Sequence, residues 1–112
     1  MIVTATVTAE NTWTDPITPD FRDILGKGTL NISVWQDPLI NDPWAGSTIT
    51  LQRRFPVSDE TPSVKTGWRD VLVFTLNSEQ ALEEMEKHVQ YRIGCKTGEF
   101  TATDDIDLRL SY

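Results

Sequence analysis

Apolar and polar residues alternate with a period of two along five stretches of this 112-residue chain, the pattern of half-buried β-strands, and a sixth stretch is apolar on both faces. MIVTATVT (1–8) sets Val3, Ala5 and Val7 against Thr4, Thr6 and Thr8. GTLNISVW (28–35) buries Leu30, Ile32 and Val34 and turns Asn31, Ser33 and Trp35 outward. STITLQRRF (47–55) directs Ile49, Leu51 and Phe55 inward, with Thr48, Thr50, Gln52 and Arg54 outward. HVQYRIGCK (88–96) puts Val89, Tyr91, Ile93 and Cys95 on one side. DIDLRLSY (105–112) does the same with Ile106, Leu108 and Leu110. WRDVLVFTL (68–76) is apolar on both faces, which predicts a central strand with Trp68 packed in the core.

Strands at this spacing, separated by turn-rich segments, indicate one all-β domain spanning 1–112. Its architecture is an antiparallel β-sandwich of Ig-like or jelly-roll-like type. One segment resists the pattern. SEQALEEMEK is built of helix formers, with Ala81, Leu82 and Met85 at helical spacing and Ser78 as a cap, so a short helix at 79–87 and an irregular edge strand are both open.

The connections are also legible. TDPITPDFRDILGKG is a proline-stiffened loop with room for one helical turn at Asp20–Leu25. QDPLINDPWAG carries two Asp-Pro steps, and PVSDETPSVKTG is longer than a hairpin normally needs. Binding surfaces concentrate on such loops.

Net charge is −7, with acids in excess along both halves: eight acids against four bases up to Glu60, nine against six after it. No basic stripe is present to displace phosphate counterions, which argues against nucleic-acid binding. One cysteine leaves no internal disulfide and no cysteine-based zinc cage. No run reaches the ~18 apolar residues of a membrane span. The start lacks the charged and apolar regions of a secretory signal, so synthesis in a cytoplasm is expected.

Candidate chemistry is thin. Lys96-Thr97-Gly98 matches a triplet of serine penicillin-binding enzymes, but their Ser-x-x-Lys and Ser-Asp-Asn partners are missing; the triplet reads as a strand-exit turn with Gly98 at positive φ and Lys96 a solvated charge. Cys95 and the lone histidine, His88, are seven residues apart, an odd spacing that sends them to opposite faces of one strand. The acidic clusters at 79–86 and 104–107 lack calcium-loop spacing. No catalytic residue, metal ligand or cofactor is expected.

From Gly28 onward, GTLNISVW, TITLQRRF, GWRDVLVFT, YRIGCKTGEFT and DLRLSY resemble a family of small structural proteins encoded in tailed-bacteriophage genomes. The resemblance covers 28–112 in patches and leaves 1–27 as an N-terminal strand and loop. The 37–46 and 56–67 loops read as insertions, and Cys95 stands where an aliphatic residue is usual. What the resemblance implies is a non-enzymatic virion component, expected to be a capsid decoration or cement protein on the outside of the shell. Its partners would be the major capsid protein or other virion proteins, with homo-oligomer formation a further option. The rival expectation is a receptor- or glycan-binding module of a head fibre or tail structure. The residues expected to meet a partner are Trp13, Leu39, Ile40, Trp44, Val57 and Val64, with the open edge of strand 1–8 as an addition site.

Overall fold

A computed structural model of the chain describes residues 1–19, 28–40, 42–58, 60–102 and 104–112. Eight strands run through them: β1 (Ile2–Val7), β2 (Thr12–Trp13), β3 (Gly28–Trp35), β4 (Ile49–Arg54), β5 (Arg69–Phe74), β6 (Ser78–Glu84), β7 (Gln90–Cys95) and β8 (Ile106–Ser111). Two four-stranded antiparallel sheets face each other as a β-sandwich, one ordered β1-β8-β3-β6 and the other β2-β7-β4-β5. Call them sheets A and B. The helical turn expected at Asp20–Leu25 lies outside the described residues.

The alternation delivers the core. Leu30, Ile32 and Val34 of β3, Ile106, Leu108 and Leu110 of β8, and Val7 of β1 are buried from sheet A. Ile49 and Leu51 of β4 and Tyr91, Ile93 and Cys95 of β7 meet them from sheet B. The register Ile32↔Leu110 and Leu51↔Ile93 aligns these side chains in rows, so the central strands of each sheet are sealed on their inner faces.

Two points of the sequence reading change: the choice left open at 79–87 falls to the edge strand, and one expectation is overturned. Residues 78–84 form β6, an edge strand paired with β3 along Gly28↔Glu84 to Val34↔Ser78, and among the described residues there is no helix. A ten-residue helix gains little on its own. As a strand, the same segment pairs its backbone with β3 and turns Leu82 and Glu84 into the interior. The second change concerns β5, which is the edge of sheet B and not a central strand. Its register with β4 slips between Leu51↔Leu72 and Gln52↔Asp70, so Val71 is the extra residue of a bulge. The bulge lets Val71 and Leu72 both rest against the core while Val73 stays exposed, and this produces the doubly apolar look of WRDVLVFTL.

Up-and-down strands put the connections made by the described residues at one of two ends. The turns 8–11, 36–48, 75–77 and 96–105 share one end, near Trp35 and Asp107. The 55–68 and 85–89 connections and both termini share the other. The long axis between them belongs to a molecule measuring 49 × 28 × 18 Å.

At the second end the sheets are tied by a polar clamp. Glu84 of β6 is 4% exposed; its Oε1 accepts the Tyr91 hydroxyl at 2.6 Å and its Oε2 the Met85 and Glu86 amides at 2.9 and 3.0 Å. Arg53 Nη1 lies 3.8 Å from Oε1. A buried carboxylate persists only when its lone pairs are met in this way. Burial, then the neighbouring Glu84 carboxylate, push the Tyr91 hydroxyl up to about 12. Unfolded tyrosine ionises near 10, so between about pH 10 and 12 the unfolded chain gives up a proton that the fold retains. The stabilisation from this group is therefore complete below pH ~10 and declines as pH rises toward 12. Tyr91→Phe is expected to lower stability by about 1–2 kcal/mol in urea melts at neutral pH and to flatten the loss between pH 10 and 12; unchanged melts would show that the clamp is idle.

Candidate functional site

Three surfaces carry side chains that the fold itself does not require: the exterior of sheet B and the two ends. The sheet B exterior is a cation–aromatic row. The Arg92 guanidinium of β7 lies 4.1 Å from the Trp13 ring centroid and 4.5 Å from that of Trp68, and Arg54 of β4 lies 4.3 Å from Trp68. Neutral amides hold the guanidiniums in place: Arg92 Nε donates to Gln52 Oε1 and Arg54 Nε to Gln90 Oε1, both at 2.9 Å. Gln52 Nε2 in turn donates to Asp70 Oδ1 at 2.9 Å, and Asp70 Oδ2 pairs with Lys96. The Lys96 ammonium, by that hydrogen bond, holds the Asp70 carboxyl below the usual carboxylate range. Lys96 is thus a solvated strand-end charge, as expected from the sequence, and one paired with Asp70.

Trp68 moves from the expected core to this exterior row, where it is half-buried. Trp13 is half-buried for a different reason. Gly94 faces outward between Arg92 and Lys96, and its missing side chain is the floor on which the Trp13 indole lies: a Cβ there would stand 2.2 Å from Thr12 O and 2.6 Å from Trp13 Cε3. A period-two strand supplies the gap, and β2 fills it.

The first end is acidic. It gathers Glu10, Asp37, Asp42, Glu79, Glu99, Asp104, Asp105 and Asp107, with Lys96 and Arg109 as described cations at its rim. Trp44 does not stand on its surface. The side chain is 4% exposed, its Nε1 donates to Asn77 Oδ1 at 2.8 Å, and its backbone N–H donates to Gln36 Oε1. Gln36 and Asn77 also exchange two 2.8 Å bonds, and Gln36 Nε2 donates to Asp104 O at 2.9 Å. This anchoring holds Trp44 and Ala45 at φ 67° and 45°, in a region that costs an L-residue energy unless its surroundings enforce it. Trp44, a candidate partner-binding residue from the sequence, is therefore a loop anchor. What the loop presents instead is Leu39, 92% exposed, in a turn closed by its own N–H donating to Asp37 Oδ1 at 2.9 Å. Ile40 beside it is partly covered.

The opposite end is mixed in charge, with Arg53, Arg54, Lys65, Arg69 and Lys87 among Glu60, Glu83, Glu86 and the buried Glu84. Here the 56–67 segment prolongs the β4–β5 hairpin as a finger: Thr66 N donates to Phe55 O at 2.8 Å and Val57 N to Val64 O at 2.7 Å. Val57 and Val64 are 58% and 53% exposed. Lys65 Nζ ties the finger to the β6–β7 turn through His88 O at 2.8 Å. Burial and the neighbouring Arg54 both lower its pKa. Among the described residues neither Arg54 nor Arg92 forms an ion pair with a carboxylate.

The sequence candidates thus fall into three places: Trp13 on the sheet B exterior, Leu39 and Ile40 at the acidic end, Val57 and Val64 at the cationic end. Missed altogether were Arg54, Arg92 and Met85. The outward register of Gln52, Arg54 and Arg92 was readable from the alternation, whereas Met85 was hidden by the helical reading of its segment. Cys95 and His88 do not meet: Cys95 ends β7 at the acidic end and is fully buried, and His88 precedes β7 at the other, exposed at φ 63°. Burial pushes the Cys95 thiol up to about 11, away from nucleophilic use. Gly98 adopts φ 82°, as a strand-exit turn requires. Among the described residues no three His, Cys, Asp or Glu side chains gather as a metal site. Comparison of the chain with protein-family models, curated proteins and solved structures gave no match.

Gly94→Ala tests the packing of the exterior row. Its Cβ meets backbone as well as the indole, so β2 must lift; a loss of about 1–3 kcal/mol is expected, together with a red-shifted tryptophan emission as Trp13 is exposed. Gly67→Ala, with nothing within 4 Å of its Cβ, serves as the control. Equal behaviour of the two variants would contradict the fit.

Proposed function

We propose that the chain is a non-enzymatic structural component of a tailed-phage virion, a capsid decoration (cement) protein that binds the outside of the major capsid shell and stabilises it. It would be made in the host cytoplasm and reside in the particle. The strand motifs that resemble phage structural proteins support the virion half of this reading. The cement half rests on one observation: exposed apolar side chains sit at both ends of a rigid sandwich, Leu39 at one and Val57 and Val64 at the other, each set among charges. A module with adhesive surface at both ends of its long axis is suited to bridging neighbouring subunits, and many weak bridges on a symmetric shell add by effective concentration.

The rival reading, a receptor- or glycan-binding module of a head fibre or tail structure, needs open indole faces. Trp44 is buried and Trp13 is engaged by Gly94 and Arg92, so that reading now depends on Trp35, 48% exposed on the sheet A exterior beside Ser33, Asp107 and Arg109. The bridging reading uses residues already exposed at both ends, and it is the one favoured here.

Quantitative mass spectrometry of purified particles, paired with heat challenge of particles lacking the chain, decides the matter. The expected result is a copy number that is a fixed ratio to capsid subunits, with earlier genome release when the chain is removed. A few copies per particle, or unchanged heat resistance, would contradict the cement role.

A further inference from the structure

We infer that the chain forms a closed dimer in which β1 of one copy pairs antiparallel with β1 of a second, joining their A sheets into one continuous sheet. The inference rests on the strand edges and is independent of the virion reading.

The two sheets leave four edges: β1 and β6 in sheet A, β2 and β5 in sheet B. An open edge invites another strand unless something blunts it. β6 carries Glu79, Glu83 and the inward-turned Glu84; β5 carries Arg69, Asp70 and the bulge at Val71; β2 is only two residues long. β1 has none of these devices. Ile2–Val7 contains no charge, proline or glycine, and its register with β8 runs unbroken from Ile2↔Ser111 to Val7↔Ile106. Among the described residues no strand pairs with its outer side.

The phase of the β1–β8 ladder shows which backbone groups are left over. Met1 and Tyr112 exchange both of their bonds, at 3.2 and 3.1 Å. Opposed residues of an antiparallel pair alternate between bonded and non-bonded positions. Val3, Ala5 and Val7 therefore direct their N–H and C=O groups to β8, and those of Ile2, Thr4 and Thr6 point to the open edge.

The strand's own sequence selects the occupant. Val3-Thr4-Ala5-Thr6-Val7 reads the same in both directions. A second copy turned about a two-fold axis at Ala5 thus sets Val3 against Val7, Thr4 against Thr6 and Ala5 against Ala5. Threonines meet on the outer face, a favourable cross-strand pairing, while valines and alanines meet on the inner one, where Val3 and Ala5 are only partly covered within a single copy. The Thr4–Thr6 pairs are the ones with free backbone groups. Ala5 meets Ala5 at a non-bonded position, where side chains come closest and a methyl group fits.

Charge agrees with this register. Thr4 lies beside Arg109 and Thr6 beside Asp107 on β8. Pairing Thr4 with Thr6 aligns Asp107 of each copy with Arg109 of the other, across the two short threonines. A shift of two residues either way sets Thr4 against Thr4 or Thr6 against Thr6, and aligns arginine with arginine or aspartate with aspartate. The contact is isologous and occupies both β1 edges, so assembly stops at two copies. One short edge per copy is a small contact, and dimerisation is expected to follow concentration.

Sedimentation of the full chain between micromolar and millimolar concentration reads the assembly, and cysteine variants read the register. Wild type is expected to reach a dimer and stop there. Thr4→Pro removes an N–H that faces the open edge and leaves the β8 ladder intact, so it is expected to fold, as thermal melts check, and to remain a monomer. Thr6→Arg, which sets a cation in line with Arg109 of the other copy, is a second edge variant with the same expected outcome. Ala5→Cys is expected to give a disulfide-linked dimer on mild oxidation, since its Cα atoms would stand about 4.5 Å apart, within disulfide reach. Val3→Cys, whose counterpart is Val7, is expected to stay unlinked, and Cys95 is buried. Wild type that stays monomeric at millimolar concentration or grows past the dimer would overturn the inference. So would edge variants that dimerise like wild type, Ala5→Cys that does not link, or Val3→Cys that links as readily.

Discussion

Antiparallel pairing is the constraint on which the rest of this molecule depends. Because the strands of both sheets run up and down a common axis, every turn must emerge at one of two ends. Segments far apart in sequence, such as 36–48 and 96–105, are thereby brought together, and segments of similar composition are sent to opposite ends. The acids of 37–42 and 104–107 collect at one end, the arginines and lysines of 53–69 at the other. Along the chain these charges look evenly mixed; in the fold they make a polar axis.

β7 shows how a single strand serves both the interior and the surface. Its odd-numbered residues, Tyr91, Ile93 and Cys95, are fully buried between the sheets. Its even-numbered ones build the exterior: Gln90 steadies Arg54, Arg92 stacks between aromatic rings, and Gly94 leaves the space in which Trp13 lies. Tyr91 then reaches across the interior to Glu84, so the same strand also ties the two sheets together. Hydrophobic burial supplies the driving force here, while the clamp and the exterior row fix how the parts meet.

The period-two pattern made the sandwich legible, down to the inward identity of Leu30, Ile49, Tyr91 and Leu110. What escaped it was decided by neighbours. Ser78–Glu84 has the residues of a helix, but the open edge of β3 offers it a partner for its backbone. Arg69–Phe74 looks central because a bulge sends two successive apolar residues inward. Trp44 and Trp68 show the same limit at the level of side chains. A tryptophan in a proline-bearing loop reads as exposed and one opening an apolar strand reads as buried, yet Asn77 and Gln36 draw the first inside and Arg54 and Arg92 hold the second on the surface. Nor can periodicity say which loops share an end. Leu39 and Val57 both read as candidate contact residues, but their placement at opposite poles comes only from topology.

Those poles give the molecule its character: a sandwich with Leu39 exposed in an acidic setting at one end and Val57 and Val64 exposed in a setting of mixed charge at the other. The proposed bridging of shell subunits draws on that arrangement. Its most direct test is nuclear magnetic resonance of isotope-labelled chain titrated with unlabelled capsid subunits. Two separate sets of amide signals are expected to shift together, one around Asp37–Ile40 and the other around Phe55–Ser58 and Met85–Lys87, with the strand signals of both sheets left in place. Shifts confined to one end, or to the β1 edge, would contradict a molecule that uses both of its poles.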